Sequence, residues 1–281
     1  MPQSLIKQLT TCPLVVALVL LSAHARAESV PGGVYVWPIP SGATAVRFEN
    51  KPVFQIGNVA IIGIPISTPP GQKTLQYQRK GQTLTHDFKV TDKQYTEQHI
   101  TLKNQNMVDP PAATLARIRE ESARQRALYN SHHPAADLSA GFVLPLEGIT
   151  TSLYGHRRFF NGQPRSPHSG LDIAAPEGTP IAAAASGVVT LADNLYFNGN
   201  TLFVDHGQGL ITMYCHMSEI LVNNGAEVKQ GETIGLVGST GRATGPHLHW
   251  SVSLNGSRVD PEMLMQAVNT TVGVATSYDA E

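Results

Sequence analysis

Cysteine is almost missing from this chain: 281 residues carry two, Cys12 and Cys215. Cys12 falls in a stretch that the sequence marks for removal. The remaining chain then has one thiol and no internal disulfide, and its fold must be held by its core. Neither sign of charge is in excess. The 20 Lys and Arg face 21 Asp and Glu, a formal charge of −1, without a basic stripe, which argues against nucleic acid as the partner. Long apolar runs are missing too. The run from Pro13 to Leu21 is too short to cross about 30 Å of hydrocarbon as a helix. It follows Lys7 and leads to the small-x-small end Ala25-Arg26-Ala27, the pattern of a secretory signal peptide cut between Ala27 and Glu28. Cys12 precedes the apolar run instead of following it, which argues against a lipoprotein-type cysteine. Cutting removes Lys7 and Arg26 but no acidic residue, and takes the formal charge from −1 to −3. The expectation is an exported, soluble chain with no transmembrane anchor in its mature form.

What is present divides into three. From residue 28 to 108 the text is β-like, with short apolar runs such as VAIIGIPI (Val59 to Ile66) and breaks at Pro and Gly. Clean alternation in LTHDFKV puts Leu84, His86, Phe88 and Val90 on one face, and Arg79 to Gln82 reads as the turn between two such strands. This is an N-terminal β-sandwich-like domain in which His86 and His99 are ordinary strand residues. Residues 109–141 change character. Asp109 is a candidate N-cap, Pro110 and Pro111 suit a first helical turn, and Ala112 to Leu128 is rich in helix formers with a weak apolar stripe. A linking surface helix is expected, followed by a flexible linker containing His132 and His133. From residue 142 to 281 short β-segments return, punctuated by glycine and with no convincing helix. The fold class is therefore all-β, with a C-terminal antiparallel sheet or barrel-like domain. Six of the 11 histidines lie between His156 and His249, and that is where chemistry is to be sought.

The sharpest feature is GSTGRATGPHLHW, Gly238 to Trp250. Residues i and i+2 of a strand share a face, so His247 and His249 project one way and Leu248 the other. The pair is either two solvated surface histidines or a ligand and a catalyst delivered together by a glycine-rich loop. PHSGLDIAAPEGTPI supplies His168 and Asp172, four residues apart. Gly170, Ile173 and Pro176 disfavour a helix, and in an extended segment the even spacing keeps both side chains on one face. Imidazole and carboxylate suit a borderline cation such as zinc, and with the His-x-His pair they suffice for three protein ligands and one open position. MYCHM, Met213 to Met217, is a third element. Alternation puts Tyr214 and His216 on one face and Cys215 on the other, which makes Cys215 a buried structural thiol and leaves His216 free for acid–base work.

In this order HSGLD, YCH and HLH resemble the three signature blocks of the lysostaphin-type (LytM-like) zinc metallopeptidases, which cut peptide bonds in bacterial peptidoglycan. The resemblance spans about Phe142 to Leu264 and includes the connecting text VDHGQG and DPEML. It implies that His168, Asp172 and His249 are ligands of a Zn2+ ion and that His216 and His247 are the catalytic histidines. None of the five positions departs from the pattern. It further implies peptidoglycan stem peptides as the partner, a Gram-negative periplasm as the location, and D,D-endopeptidase action on the D-Ala to meso-diaminopimelate crosslink. The chain is expected to act as a monomer. The rival is a non-enzymatic envelope protein that binds peptidoglycan or activates an amidase, against which five intact polar positions argue. A lipoyl- or biotinyl-type carrier, suggested by EVKQGETIGLVG, fails for want of a lysine in a Met-Lys or Asp-Lys context, since Lys229 sits in Val-Lys-Gln.

Three further groups have simpler readings beside the functional one. Asp205-His206 in VDHGQG reads as a hydrogen-bonding pair at a strand end. His156, Arg157 and Arg158 precede the first ligand on a loop, and either line the cleft, where they would meet an anionic peptide stem, or stay solvated. Tyr214 either donates to the oxygen that turns negative in the reaction or only packs.

Overall fold

The computed structural model describes residues 29–134 and 138–273; the expected signal peptide over 1–27, with its cut before Glu28, lies outside them. VAIIGIPI is apolar without alternation because its strand, Val59–Gly63, is covered on both faces. It is the middle strand of a three-stranded antiparallel sheet, between Val34–Pro38 and Phe54–Ile56. Ala60 and Ile62, with Trp37, face a second sheet built on the hairpin Gly71–Arg79 and Gln82–Val90, whose Leu75, Phe88 and Val90 complete that core. Ile61, with Val34 and Phe54, faces the opposite way into the main core of the molecule. Arg79 stands opposite Gln82, and Lys80 and Gly81 both have positive φ, 50° and 74°. That two-residue turn matches the twist of the flanking strands. His86 meets Tyr35 Oη through Nε2 at 2.8 Å and stacks on Trp37, an ordinary strand histidine as expected.

The main sheet has eight antiparallel strands and is open, not closed into a barrel. At its centre Ile211–Met217 pairs with His247–Leu254, which pairs with Leu171–Ala174, which pairs with the edge strand Ile149–Ser152. Alternation gives this sheet two buried faces. Leu171, Ile173, Tyr214, Leu248, Trp250 and Val252 enter the main core, while Ile211, Met213, Cys215 and Phe203 pack beneath Tyr129 of the helix Leu115–Tyr129.

In its helices and strand pairing the structure departs from expectation at three places. Pro261–Val272 is an α-helix in the half where none was expected, packed into the main core through Leu264, Met265 and Val268. Its signals were present. Asp260 caps it by accepting from the Glu262 N–H, Pro261 stands at the first turn, and Gly273 closes it at a φ of 77°. The other helix begins at Leu115, after a 3-10 turn over Ala112–Thr114, and Asp109 does not cap it. A residue before proline is held out of the helical region, so Pro110 cannot be helical ahead of Pro111. Asp109 accepts instead from Gln105, Gln163 and Arg165. Lastly, the strand Glu97–Ile100 pairs in parallel with Arg157–Phe160, not with the N-terminal sheets.

Asn255 joins the small N-terminal sheet to the main one. Its Oδ1 accepts from the Gly63 N–H at 2.7 Å and its Nδ2 donates to the Gly63 carbonyl at 3.2 Å, both buried. Asn255→Ala removes both bonds and leaves alanine at a φ of 44°, so a loss of about 2–3 kcal/mol is expected. A urea titration reads this as a lower midpoint at unchanged slope; a shift worth under about 0.5 kcal/mol would show that the two Asn255 bonds do not hold the sheets together.

Candidate metal centre

Asp172 lies directly opposite His249 where Leu171–Ala174 pairs with His247–Leu254, so both side chains leave the sheet on one face. His168 is not in the strand. It comes from the irregular segment ahead of it, and Gly170 lets the chain pass because a Cβ there would collide with the Trp250 carbonyl oxygen and the His249 ring. The even spacing of His168 and Asp172 therefore does not act through strand alternation as expected. Three donor atoms converge: His168 Nε2 to Asp172 Oδ1 is 2.9 Å, His249 Nδ1 to Asp172 Oδ1 is 2.7 Å, and His168 Nε2 to His249 Nδ1 is 3.0 Å. All three residues are buried.

The donor chemistry fits a cation. His168 Nδ1 donates to the Leu153 carbonyl at 2.7 Å, which leaves Nε2 of the neutral ring with a lone pair. A hydrogen on His249 Nδ1 can satisfy its own two contacts but not the third, where the His168 lone pair meets a carboxylate oxygen. A positive charge within the triangle satisfies all three. The donors stand a few tenths of an ångström closer than the roughly 3.3–3.6 Å between ligands with bonds of about 2.0–2.2 Å to a tetrahedral ion. Protonation states agree. Burial drops His249 to about 4 despite Asp172. Burial by itself would push the Asp172 carboxyl up, but the His168 and His249 rings set against it outweigh burial and hold it well below the usual carboxylate range. The site offers two imidazoles and one carboxylate.

His216 and His247 stand beside this triangle, with ring centroids 4.7 Å apart, and His216 is 6.2 Å from His249. His247 shares a face with His249 by alternation, as expected. His216 arrives differently. Leu202 pairs with Tyr214 and Asn200 with Met217, so Cys215 and His216 together oppose the single residue Thr201, and His216 has a φ of 64°. This bulge overturns the expected faces. Cys215 pairs with His249 and Tyr214 with Trp250, so by register Cys215 belongs to the donor face and Tyr214 to the core. Only the extra residue swings His216 round to the site. Cys215 is still a buried thiol, pushed up by burial and inert. Tyr214 packs, its hydroxyl taking the Ala184 N–H and bonding Thr212. His216 Nδ1 donates to the Thr240 carbonyl at 2.8 Å and His247 Nδ1 to the Gly245 carbonyl at 2.8 Å, so each ring keeps its Nε2 free. Burial, with His247 and His249 nearby, drops His216 to about 3.

The remaining candidates sort plainly. His206 bonds the Ser186 carbonyl at 2.7 Å and Thr212 Oγ1 at 2.8 Å, and Asp205 accepts from the Gly207 N–H, a structural pair as expected. The linker is tied where flexibility was expected, with His133 Nδ1 2.6 Å from Asp205 Oδ2. His99 stacks on Phe159. Arg157 and Arg158 part company along their strand: Arg157 turns outward to Glu97 and Arg158 inward to Asp172. Arg158 adjoins the centre, one of the two readings its stretch allowed, and Ser152 and Gln98, which no motif marked, stand with it. The one available signal was the strand alternation of Arg157-Arg158.

Fold and donor set define a class: a mostly β fold with a candidate metal centre and two further histidines beside it, the arrangement of a metal-dependent hydrolase. Residues 166–261 match the model of Peptidase family M23, and residues 27–93 that of the Peptidase family M23 N-terminal domain. The crystal structure of a Pseudomonas aeruginosa candidate M23 peptidase is 38% identical with a TM-score of 0.70, covering 86% of this chain and 97% of that one. The chain belongs to peptidase family M23. The peptidoglycan DD-endopeptidase ShyC of Vibrio cholerae is 49% identical over 94 residues, and the DD-carboxypeptidase/endopeptidase Mpg of Neisseria meningitidis is 47% identical over 94 residues. Each match covers 34% of this chain and only 22% of the relative's own length.

His206 gives the fold a pH dependence away from the centre. Burial drops it to about 4, against the pull of the Ser186 carbonyl. Below its ordinary value near 6.5 the unfolded chain takes a proton that the folded chain refuses, so stability falls as pH drops from 6.5 toward 4, by on the order of 3 kcal/mol. Urea midpoints of wild type and His206→Gln measured across that window should show a shallower slope for the variant. Parallel slopes would exclude His206 as the source.

Proposed function

We propose that this chain is an exported zinc-dependent endopeptidase that hydrolyses peptide crosslinks of bacterial peptidoglycan, the D-Ala to meso-diaminopimelate bond first among them, in a Gram-negative periplasm. The observation that carries the reading is the convergence of His168, Asp172 and His249 beside two histidines that each keep a free Nε2. Zinc suits two imidazole nitrogens and one carboxylate oxygen better than magnesium or calcium, which prefer all-oxygen shells. The relatives' names support peptidoglycan as substrate.

When bound, the ion supplies Lewis-acid polarisation of the scissile carbonyl and lowers the pKa of a water. His168, Asp172 and His249 would hold it. The proton work falls to His216 and His247. With Nδ1–H committed to the Thr240 and Gly245 carbonyls, Nε2 of either ring accepts a proton from the attacking water and returns it to the leaving amine. While protonated, that Nε2–H donates to the carbonyl oxygen as it turns negative. A non-enzymatic binding role would need none of this convergence.

Purified crosslinked muropeptide dimers are the test substrate. Conversion to monomers should vanish with chelator and return with zinc, while His216→Ala should lose roughly 100- to 10,000-fold in rate yet keep its metal. His249→Ala should lose both. No metal-dependent conversion by the wild-type protein would refute the reading.

A further inference from the structure

Asp172 uses its two carboxylate oxygens differently. Oδ1 lies inside the donor triangle, while Oδ2 accepts from Arg158 Nη2 at 2.6 Å. The ion pair is nearly enclosed, with 16% of the Arg158 side chain and 10% of that of Asp172 exposed, so it is little weakened by solvent. Arg158 is itself held. Its Nε donates to Gln98 Oε1 at 3.1 Å and its Nη2 reaches Ser152 Oγ at 3.3 Å. Ser152 Oγ donates to the same Gln98 oxygen at 3.0 Å and stands 3.0 Å from His168 Nδ1. Gln98 reaches this place because Glu97–Ile100 pairs in parallel with Arg157–Phe160, with Gln98 opposite Arg158. Gln98, Ser152 and Arg158 all lie between the two family matches, 27–93 and 166–261.

We propose that Arg158 is a positioning residue that takes the outer oxygen of Asp172, so that Asp172 offers one oxygen to the ion, and that Gln98 from the N-terminal arm holds Arg158 in that pose. The proposal rests on the metal-centre reading above. A planar guanidinium suits the task because its donors point in fixed directions to three acceptors at once. An ammonium would carry the charge without the geometry. Without Arg158 the carboxylate is free to rotate and offer both oxygens, which would fill the position that substrate needs and cost metal affinity.

The test uses the full chain, because removing the N-terminal arm removes Gln98. Metal-free protein is titrated with Co2+ alone, reading the dissociation constant by chelator competition and the coordination number from the visible ligand-field bands. Wild type should bind one Co2+ with four-coordinate bands, and His249→Ala should abolish binding; failure here sinks the metal centre itself. Arg158→Gln should weaken binding roughly 10–100-fold and shift the bands toward five-coordination, and Arg158→Lys should shift the bands likewise. Gln98→Leu, which removes the Arg158 Nε acceptor but not the Arg158–Asp172 pair, should move both readouts the same way by a smaller step. Bands and affinity unchanged in Arg158→Gln or in Gln98→Leu, or fully restored in Arg158→Lys, would overturn the positioning role while leaving the metal centre standing.

Discussion

The direct opposition of Asp172 and His249 across two antiparallel strands is the constraint on which the centre depends. Side chains alternate with a period of two, so a slip of one residue would send one donor into the core and bring an apolar residue to the site. The register is held from the opposite face. Leu171, Ile173, Leu248 and Trp250 are buried there, and none could be turned outward without losing on the order of 2 kcal/mol of apolar burial. The packing of one face of the sheet thus sets the chemistry of the other. Gly170 is part of the same constraint, because only a residue without Cβ lets His168 close the triangle over the Trp250 backbone.

A second device works against regularity. A bulge at Cys215 and His216 reverses the face of a histidine that alternation would have buried with Tyr214, at the cost of a non-glycine residue at a φ of 64°. Such strain costs on the order of 1–3 kcal/mol and persists only where the surroundings over-determine it. Here the His216 N–H bonds the Asn198 carbonyl, its own carbonyl accepts from the Thr240 N–H, and its ring donates to the Thr240 carbonyl. The glycine-rich loop before His247 thus also anchors the other histidine through Thr240. One loop orients both rings.

Much of the centre was legible because its parts carry distinctive chemistry at short spacing. His168, Asp172, His247 and His249 stand in two compact blocks, and the mostly β architecture showed in alternation and turn residues. What escaped has physical reasons. The helix Pro261–Val272 has ordinary start and stop signals, but they sit in text dominated by short strands. The faces of Tyr214 and Cys215 came out reversed, because a bulge is two residues opposing one on the neighbouring strand and leaves no mark on the chain that contains it. Arg158 read equally as a cleft residue facing a peptide stem or as a solvated one, and nothing local pointed it at Asp172.

By itself the sequence determined which donors exist, that no disulfide in the expected mature chain can hold them, and that extended segments and not helices carry them, since composition and local period are properties of the chain alone. Only the tertiary structure decided that Asp172 faces His249, that His216 turns toward them, and that Gln98 and Arg158 stand behind Asp172. Those are matters of register and of contacts between separate segments, some far apart in the chain, such as Gln98 and Arg158 at a separation of 60, and no local pattern encodes which distant strand a strand will meet.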